Sequence, residues 1–275
     1  LLLESNMTHT VTADDDTAET TLGTKRIRLF NAPIDVVTMQ QAIDVLRNWL
    51  DETPEVCRFV VTPNVDHAVI LQHHEGLQNV YADAHLVLAD GLPLILASRW
   101  LGKPLPERVA GSELVPRLLS SVPTERQLRC FLLGAGPGVA DRAADRIRAT
   151  CPGIAIVGTY SPPLGFEKDP TEEQRILQLL RNASPELLIV GLGAPKQELW
   201  VHRHFRQLPA KVALCVGASI DFIAGEKKQA PVWMRRSGLE WLHRMMSEPK
   251  RLAKRYAHDA WVFPQLVWRD WRAGR

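Results

Sequence analysis

The sequence predicts an α/β fold: a mostly parallel, Rossmann-like sheet with helices on both faces, an N-terminal β-hairpin and a helical C-terminal appendage. Short apolar runs rich in β-branched residues recur along the chain, as strands buried on both faces require, and helical stretches of about 12 to 20 residues separate them. Near residue 227 the chain changes character: positive charge and tryptophan content rise together.

Residues 1–24 are polar, rich in Thr and Asp and without an apolar period, so they are expected to form a disordered leader. Leu1-Leu2-Leu3 is too short for a signal-peptide core, and Met7 is the expected natural start. The α/β core is assigned to residues 25–226. It opens with RIRLFNAPIDVV at 26–37, two short strands about Asn31-Ala32-Pro33, followed by a helix that Thr38 and Gln41 start as a capping box. Core strands follow at 58–62, 86–89, 129–133, 154–157, 187–190 and 212–216. A second capping box, Thr171 with Gln174, opens the helix after Pro170.

The chain has 275 residues, 45% hydrophobic and 23% charged, which excludes a disordered chain, a collagen-like fibre and a coiled-coil rod. No apolar run reaches the roughly 18 to 20 residues that span a bilayer, and the default location is the cytoplasm. The four cysteines, 57, 130, 151 and 215, match no metal spacing, and three lie in or beside apolar runs as small core residues.

Ligands of parallel sheets bind beyond the carboxyl ends of the strands. There the sequence places Thr62-Pro63-Asn64-Val65-Asp66, Asp90-Gly91, Gly134-Ala135-Gly136-Pro137-Gly138, Gly158-Thr159-Tyr160, Gly191-Leu192-Gly193-Ala194-Pro195-Lys196-Gln197-Glu198 and Gly217-Ala218-Ser219-Ile220-Asp221. Glycine at five of six edges lets backbone N–H groups approach a phosphate closely. A nicotinamide enzyme or methyltransferase is disfavoured, because the run at 134–138 is one residue short of G-x-G-x-x-G and the next strand ends without an acid. The sequence contains no P-loop, no G-x-S-x-G elbow and no HExxH, and no metal is expected. What remains is a diphosphate-type ligand held by glycine turns, with Asp90 near it. Asp90 fits two roles equally on these grounds, a general base or the N-cap of the next helix.

TPN at 62–64, ADG at 89–91, LGKPLPERVAGSEL at 101–114, GLGAPKQELW at 191–200, GASIDFIAGE at 217–226 and APVWMRRSGLEWLHRMMSEPKRLAKRY at 230–256 together resemble the WecG/TagA/CpsF family of glycosyltransferases. The resemblance implies an inverting transfer, in bacterial cell-surface polysaccharide synthesis, of a sugar from a UDP-sugar to a polyprenyl-diphosphate-linked acceptor. The donor it suggests is of the UDP-N-acetylmannosamine type; UDP-glucose or UDP-glucuronic acid is the alternative, and a membrane-recruited nucleotide-sugar-binding protein without turnover is the reading from another class. With the resemblance, Asp90 is favoured as the base. Thr62 and Asn64 would orient sugar or acceptor, with helix capping as the plain alternative. Arg108 would stabilise the leaving diphosphate, against a surface salt bridge with Glu107 or Glu113. Gly134, Ala135, Gly191 and Gly193 would lie near the phosphates. Gln197 would hydrogen-bond uracil, ribose or sugar, Lys196 would add charge, Tyr160 would stack on or bond the nucleotide, and Asp221 would hold a ribose hydroxyl or act as a buried cap.

Residues 227–275 hold 12 Lys/Arg against 4 Asp/Glu and five of the eight tryptophans. On a helical wheel of 250–262, Lys250, Arg251, Lys254 and Arg255 form one face, and Leu252, Ala253, Tyr256 and Ala260 the other. A basic, Trp-rich helix suits an anionic membrane surface, where a lipid-linked acceptor would be met, and the chain is expected to sit peripherally on the inner face of the plasma membrane. Nucleic acid is not an expected partner, because no recognition motif is present. Homo-oligomerisation is left open. Arg235, Arg236 and Arg244 are placed to reach the donor diphosphate.

Overall fold

The computed structural model describes residues 17–19, 25–231, 233–234 and 239–274. Six parallel strands form the central sheet: β4 (Arg58–Val61), β5 (Leu86–Val87), β6 (Leu128–Gly134), β7 (Ile154–Tyr160), β8 (Leu187–Gly191) and β9 (Val212–Cys215), in the spatial order β5-β4-β9-β8-β6-β7. The expected sheet is therefore present, strand for strand. Its apolar runs serve two cores at once. Phe59, Val61, Leu188, Val190, Ala213 and Cys215 face one side, whereas Val60, Leu187, Ile189, Val212 and Leu214 face the other. Strand side chains alternate between faces, so only a strand covered on both sides needs apolar residues at every position.

Helices α1 (Met39–Asp51), α5 (Gly111–Ser120), α6 (Val139–Thr150) and α9 (Ser219–Ala224) contribute to one core. Helices α2 (Val65–Ile70), α3 (Glu75–Asp83), α4 (Leu92–Trp100), α7 (Pro170–Ala183) and α8 (Lys196–His204) contribute to the other. Thr38 caps α1 in the expected box with Gln41. The second expected box is absent: α7 is capped by Asp169, whose carboxylate accepts from the Thr171 and Glu172 N–H groups, with Pro170 at the first turn. Proline lacks the N–H that a cap would satisfy, so it fits that first turn and moves the cap ahead of it.

The hairpin pairs β2 (Lys25–Leu29) with β3 (Ala32–Asp35), and its turn is Phe30-Asn31, one residue earlier than expected, with φ of 51° and 65°. Two positive φ values mark the tight turn whose twist suits adjacent strands. Phe30 tolerates this conformation because its ring is buried against Phe263, with centroids 5.1 Å apart. Three residues of the segment expected to be structureless, Thr17–Glu19, form β1 against β2; the rest of that segment lies outside the described residues. Asp35 fixes the hairpin on the sheet edge, accepting from Arg26 at 3.0 and 2.8 Å and from the Val87 N–H of β5 at 2.7 Å.

The appendage comprises α10 (Glu240–Ser247) and the long α11 (Pro249–Ala273). Leu252, Leu266 and Val267 are buried, and α11 lies against α2. No described helix is long and apolar enough to cross a membrane. All four cysteines are buried thiols, and burial alone pushes Cys57 up to about 12.

Candidate active site

A cavity of about 270 Å³ opens where the carboxyl ends of β4 and β5 meet the appendage. Asp90 enters it from a short connection held by backbone hydrogen bonds. The Leu88 N–H donates to Val61, the Asp90 N–H donates to Pro63 at 2.7 Å, and the Ala89 carbonyl accepts from Val109. The N-cap of α4 is Gly91, at φ 133°, with no side-chain cap bond. The Asp90 carboxylate is therefore not a capping group, and it lines the cavity instead.

Arg108 stands beside it. Its guanidinium lies 3.7 Å from Asp90 Oδ1 and donates to Glu240 Oε2 at 2.7 Å and to Glu113 Oε1 at 2.6 Å. The salt bridge to Glu113 expected as the plain alternative does exist, and it coexists with a place on the cavity wall. Glu107 instead accepts from the Met39 N–H at the start of α1. Burial pushes the Asp90 carboxyl up to about 6; Arg108, Arg244 and His67 pull it down, and Glu240 adds to the rise. A carboxyl titrating there is largely ionised at neutral pH yet basic enough to accept a proton in a transition state.

Arg244 and Arg255 complete a set of three guanidiniums on the cavity wall. Arg255, on the basic face of the helical wheel, pairs with Asp66 at 3.3 Å. Ala253 and Ala260, assigned to the apolar face, are exposed. Asp259, also on the wall, is buried with Oδ1 lacking a hydrogen bond; burial and the nearby Asp66 push it up to about 6 against Arg255 and His258. Arg235, Arg236 and the Arg251 side chain lie outside the described residues.

The other expected residues divide. Asn64 lines the cavity and also caps α2, in a box with His67. Thr62 is buried and donates to the Cys215 carbonyl at 3.1 Å, joining the ends of β4 and β9. Gln197 is buried too: its amide donates to Glu198 at 2.7 Å and its carbonyl receives the Gly217 N–H at 3.2 Å. Gly134 and Gly191 make close strand contact, since a Cβ on Gly134 would lie 2.5 Å from the Gly191 carbonyl. The Ala135 N–H donates to that same carbonyl at 2.9 Å. Gly193 and Gly217, at φ 83° and 54°, have open space where a Cβ would stand. Lys196 is paired with Glu167 at 2.9 Å, and the Tyr160 hydroxyl donates to Glu172. Asp221 is not a cap, because it lies in the first turn of α9, whose N-cap is Ala218; burial raises its pKa, with Lys227 4.0 Å away opposing.

Several residues escaped sequence reasoning. Glu240 and Asp259 reach the site only through the docking of the appendage. Behind Asn64 stands a buried pair, His67 Nε2 3.3 Å from Glu198 Oε1, while His67 Nδ1 lies 2.9 Å from Asn64 Oδ1. Burial disfavours the His67 charge, but Glu198, Asp66 and Asp90 outweigh it and raise the pKa. The one available signal was Glu198, an acid beside a glycine turn. Among the described residues no three His, Cys, Asp or Glu side chains gather as a metal-binding group.

Residues 27–275 match the model of the "Glycosyl transferase WecG/TagA/CpsF family". Among similar proteins is an "N-acetylglucosaminyldiphosphoundecaprenol N-acetyl-beta-D-mannosaminyltransferase" of Bacillus spizizenii, 32% identical over 70% of this chain and 72% of the relative. One with the same name from Staphylococcus aureus (strain MRSA252) is 28% identical over 86% of this chain and 91% of the relative. With the parallel sheet, the uncapped Asp90 and the match over nearly the whole chain, the conclusion is direct: this protein belongs to the WecG/TagA/CpsF family and is a glycosyltransferase.

Proposed function

We propose that the protein transfers an N-acetylmannosamine-type sugar, with inversion, from a UDP-sugar to a polyprenyl-diphosphate-linked acceptor. The observation that carries this reading is Asp90: an uncapped carboxylate at a strand's end, titrating at about 6, in a cavity walled by three guanidiniums. The names of both relatives supply the acceptor and the β-configured product.

In this reading the acceptor hydroxyl gives its proton to Asp90 as its oxygen bonds to the anomeric carbon. The bond from that carbon to the diphosphate breaks on the opposite face, and UDP leaves with the electron pair. A base aligned with the attacking oxygen contributes about 10²- to 10⁴-fold. Arg108 and Arg244 offset charge developing on the leaving group, in a wall where such charge is poorly screened. The open turns at Gly193 and Gly217, on neighbouring strands β8 and β9, offer backbone room for the nucleotide.

The acceptor is a lipid, so the enzyme must reach a bilayer. Trp233, Trp241 and Trp261 are exposed by 63%, 45% and 75% on a stretch carrying 12 cations against 4 anions. Aromatic rings suit the headgroup zone and each cation near an anionic leaflet contributes about 1 kcal/mol. This supports peripheral attachment to the inner face of the plasma membrane. The test is Asp90→Asn, assayed with UDP-N-acetylmannosamine and a short-chain lipid diphosphate bearing N-acetylglucosamine. Transfer should fall at least 100-fold while UDP affinity holds; undiminished transfer would overturn the assignment.

A further inference from the structure

We propose that the strip between α4 and α11 is the subsite for the polyprenyl chain of the acceptor, leading away from the Asp90 cavity. This rests on the acceptor class argued above. The cavity has two characters. Its lining includes charged groups, Asp90, Arg108, Arg244 and Arg255, and apolar ones, Leu92 and Pro93 of α4 and Phe263 and Pro264 of α11. A lipid diphosphate sugar has the same division, a charged head on an apolar chain.

The apolar lining continues beyond the cavity. Residues spaced by three or four along a helix share a face. On α4 that spacing gives Leu92, Leu96 and Trp100; on α11 it gives Pro264, Trp268 and Trp271. Two observations fix the helices side by side along this line. At one end Leu92 and Pro264 line the same cavity, and at the other Trp100 stacks on Trp271 with centroids 6.0 Å apart and planes 10° from parallel. Trp271 in turn stacks on Trp268 at 5.0 Å. From Leu92 to Trp100 the strip runs about 12 Å, at 1.5 Å per residue, enough for a few isoprene units.

Large apolar groups in such a row are unusual on a water-facing surface. Leu96 is 54% exposed, Trp100 56% and Trp268 48%. Aromatic planes offer broad contact to a flexible chain at small cost in side-chain freedom. Continuity with the cavity selects the occupant. A bilayer acyl chain or a second copy of the protein could cover the strip, but neither has a reason to begin at the Asp90 cavity.

The test uses the full chain and water-soluble ligands, without vesicles. One arm measures farnesyl phosphate binding by intrinsic tryptophan fluorescence, with no donor present. The other compares acceptor KM for a decyl chain and a methyl group on the same N-acetylglucosaminyl diphosphate. In the parent protein the longer chain should lower KM, and Leu96→Ser and Trp100→Ala should each weaken farnesyl phosphate binding by about tenfold and shrink the KM ratio to match. Leu164→Ser, which removes a fully exposed leucine in the loop before α7, should leave that ratio in place. Because Leu96 and Trp100 are half exposed, the variants should fold, which melting curves check. Unchanged farnesyl phosphate binding in both variants would overturn the proposal, even if they bound lipid vesicles less well, since the strip would then be only a bilayer contact. If the parent bound farnesyl phosphate but transferred no sugar, the failure would lie with the proposed reaction and not with the subsite.

Discussion

Arg108 donates to Glu240 at 2.7 Å, tying the loop that follows α4 to α10 of the appendage. Neither residue is near the other in sequence, yet together they set the charge around the base. Arg108 lowers the Asp90 pKa and Glu240 raises it.

Opposite substitutions should therefore move the acid limb of the pH profile in opposite directions. In the parent protein kcat/KM should fall about tenfold per pH unit below about 6, as Asp90 takes up its proton. Arg108→Ala should shift that limb to higher pH and Glu240→Gln to lower pH. A profile that both variants leave in place would remove Asp90 from the base role.

Asp259→Asn should stabilise the protein at neutral pH. The carboxyl rises from an ordinary value of 3.8 to about 6 on folding, so burying its charge opposes folding above about 6, and this cost vanishes below about 4. The amide has no such charge. Melting temperature should rise by about 2–4 °C at pH 7.5, which corresponds to about 1 kcal/mol, and the gain should disappear at pH 4. A pH-independent change would show that the charge is not the cause.

Glu198→Gln should destabilise with the opposite pH dependence. His67 has a raised pKa in the folded protein, so its protonation adds stability that is fully present below 6.5 and lost as pH rises through the folded value. Without the Glu198 charge that contribution falls. The loss in melting temperature should be greater at pH 6 than at pH 9; equal losses would mean that His67 stays neutral.

Two glycines should separate packing from binding. Gly134→Ala places a Cβ 2.5 Å from the Gly191 backbone and should cost several kcal/mol, about the range of strained or overpacked core positions. Gly193→Ala meets no atom within 4 Å. It should cost only about 1–2 kcal/mol from its positive φ, yet raise the donor KM. Comparing urea midpoints with UDP-sugar KM values separates the two effects.

The sheet was legible because each strand's own residues carry the signal: FVV, LLIV and VALC have no polar position. Asp90 was legible as a carboxylate at a strand's end, and its capping alternative failed only when Gly91 was seen to cap α4. Roles that depend on distant partners were not. Gln197 follows a glycine turn and reads as a hydrogen-bonding group for the ligand, but it is sealed between Glu198 and Gly217. Arg255 falls on a basic stripe in any helical wheel, and only the approach of α2 turns it toward Asp66. Thr171 lost its cap role to Asp169 because Pro170 fills the first turn. Periodicity records which face of an element is apolar, but not which neighbour meets it.

The hairpin tip has a bearing on the enclosure of the reaction. The Phe30 N–H donates to Asp270 at 3.1 Å, its carbonyl accepts from Gln72 at 3.0 Å, and Gln72 also receives Arg269 at 2.7 Å. The hairpin tip thus latches α11, the helix that supplies Arg255, Asp259 and Phe263 to the cavity. Loosening that latch would unseat one wall of the reaction chamber from outside it, so a lesion at residue 30 would mimic damage to the catalytic centre while leaving Asp90 and its neighbours chemically intact.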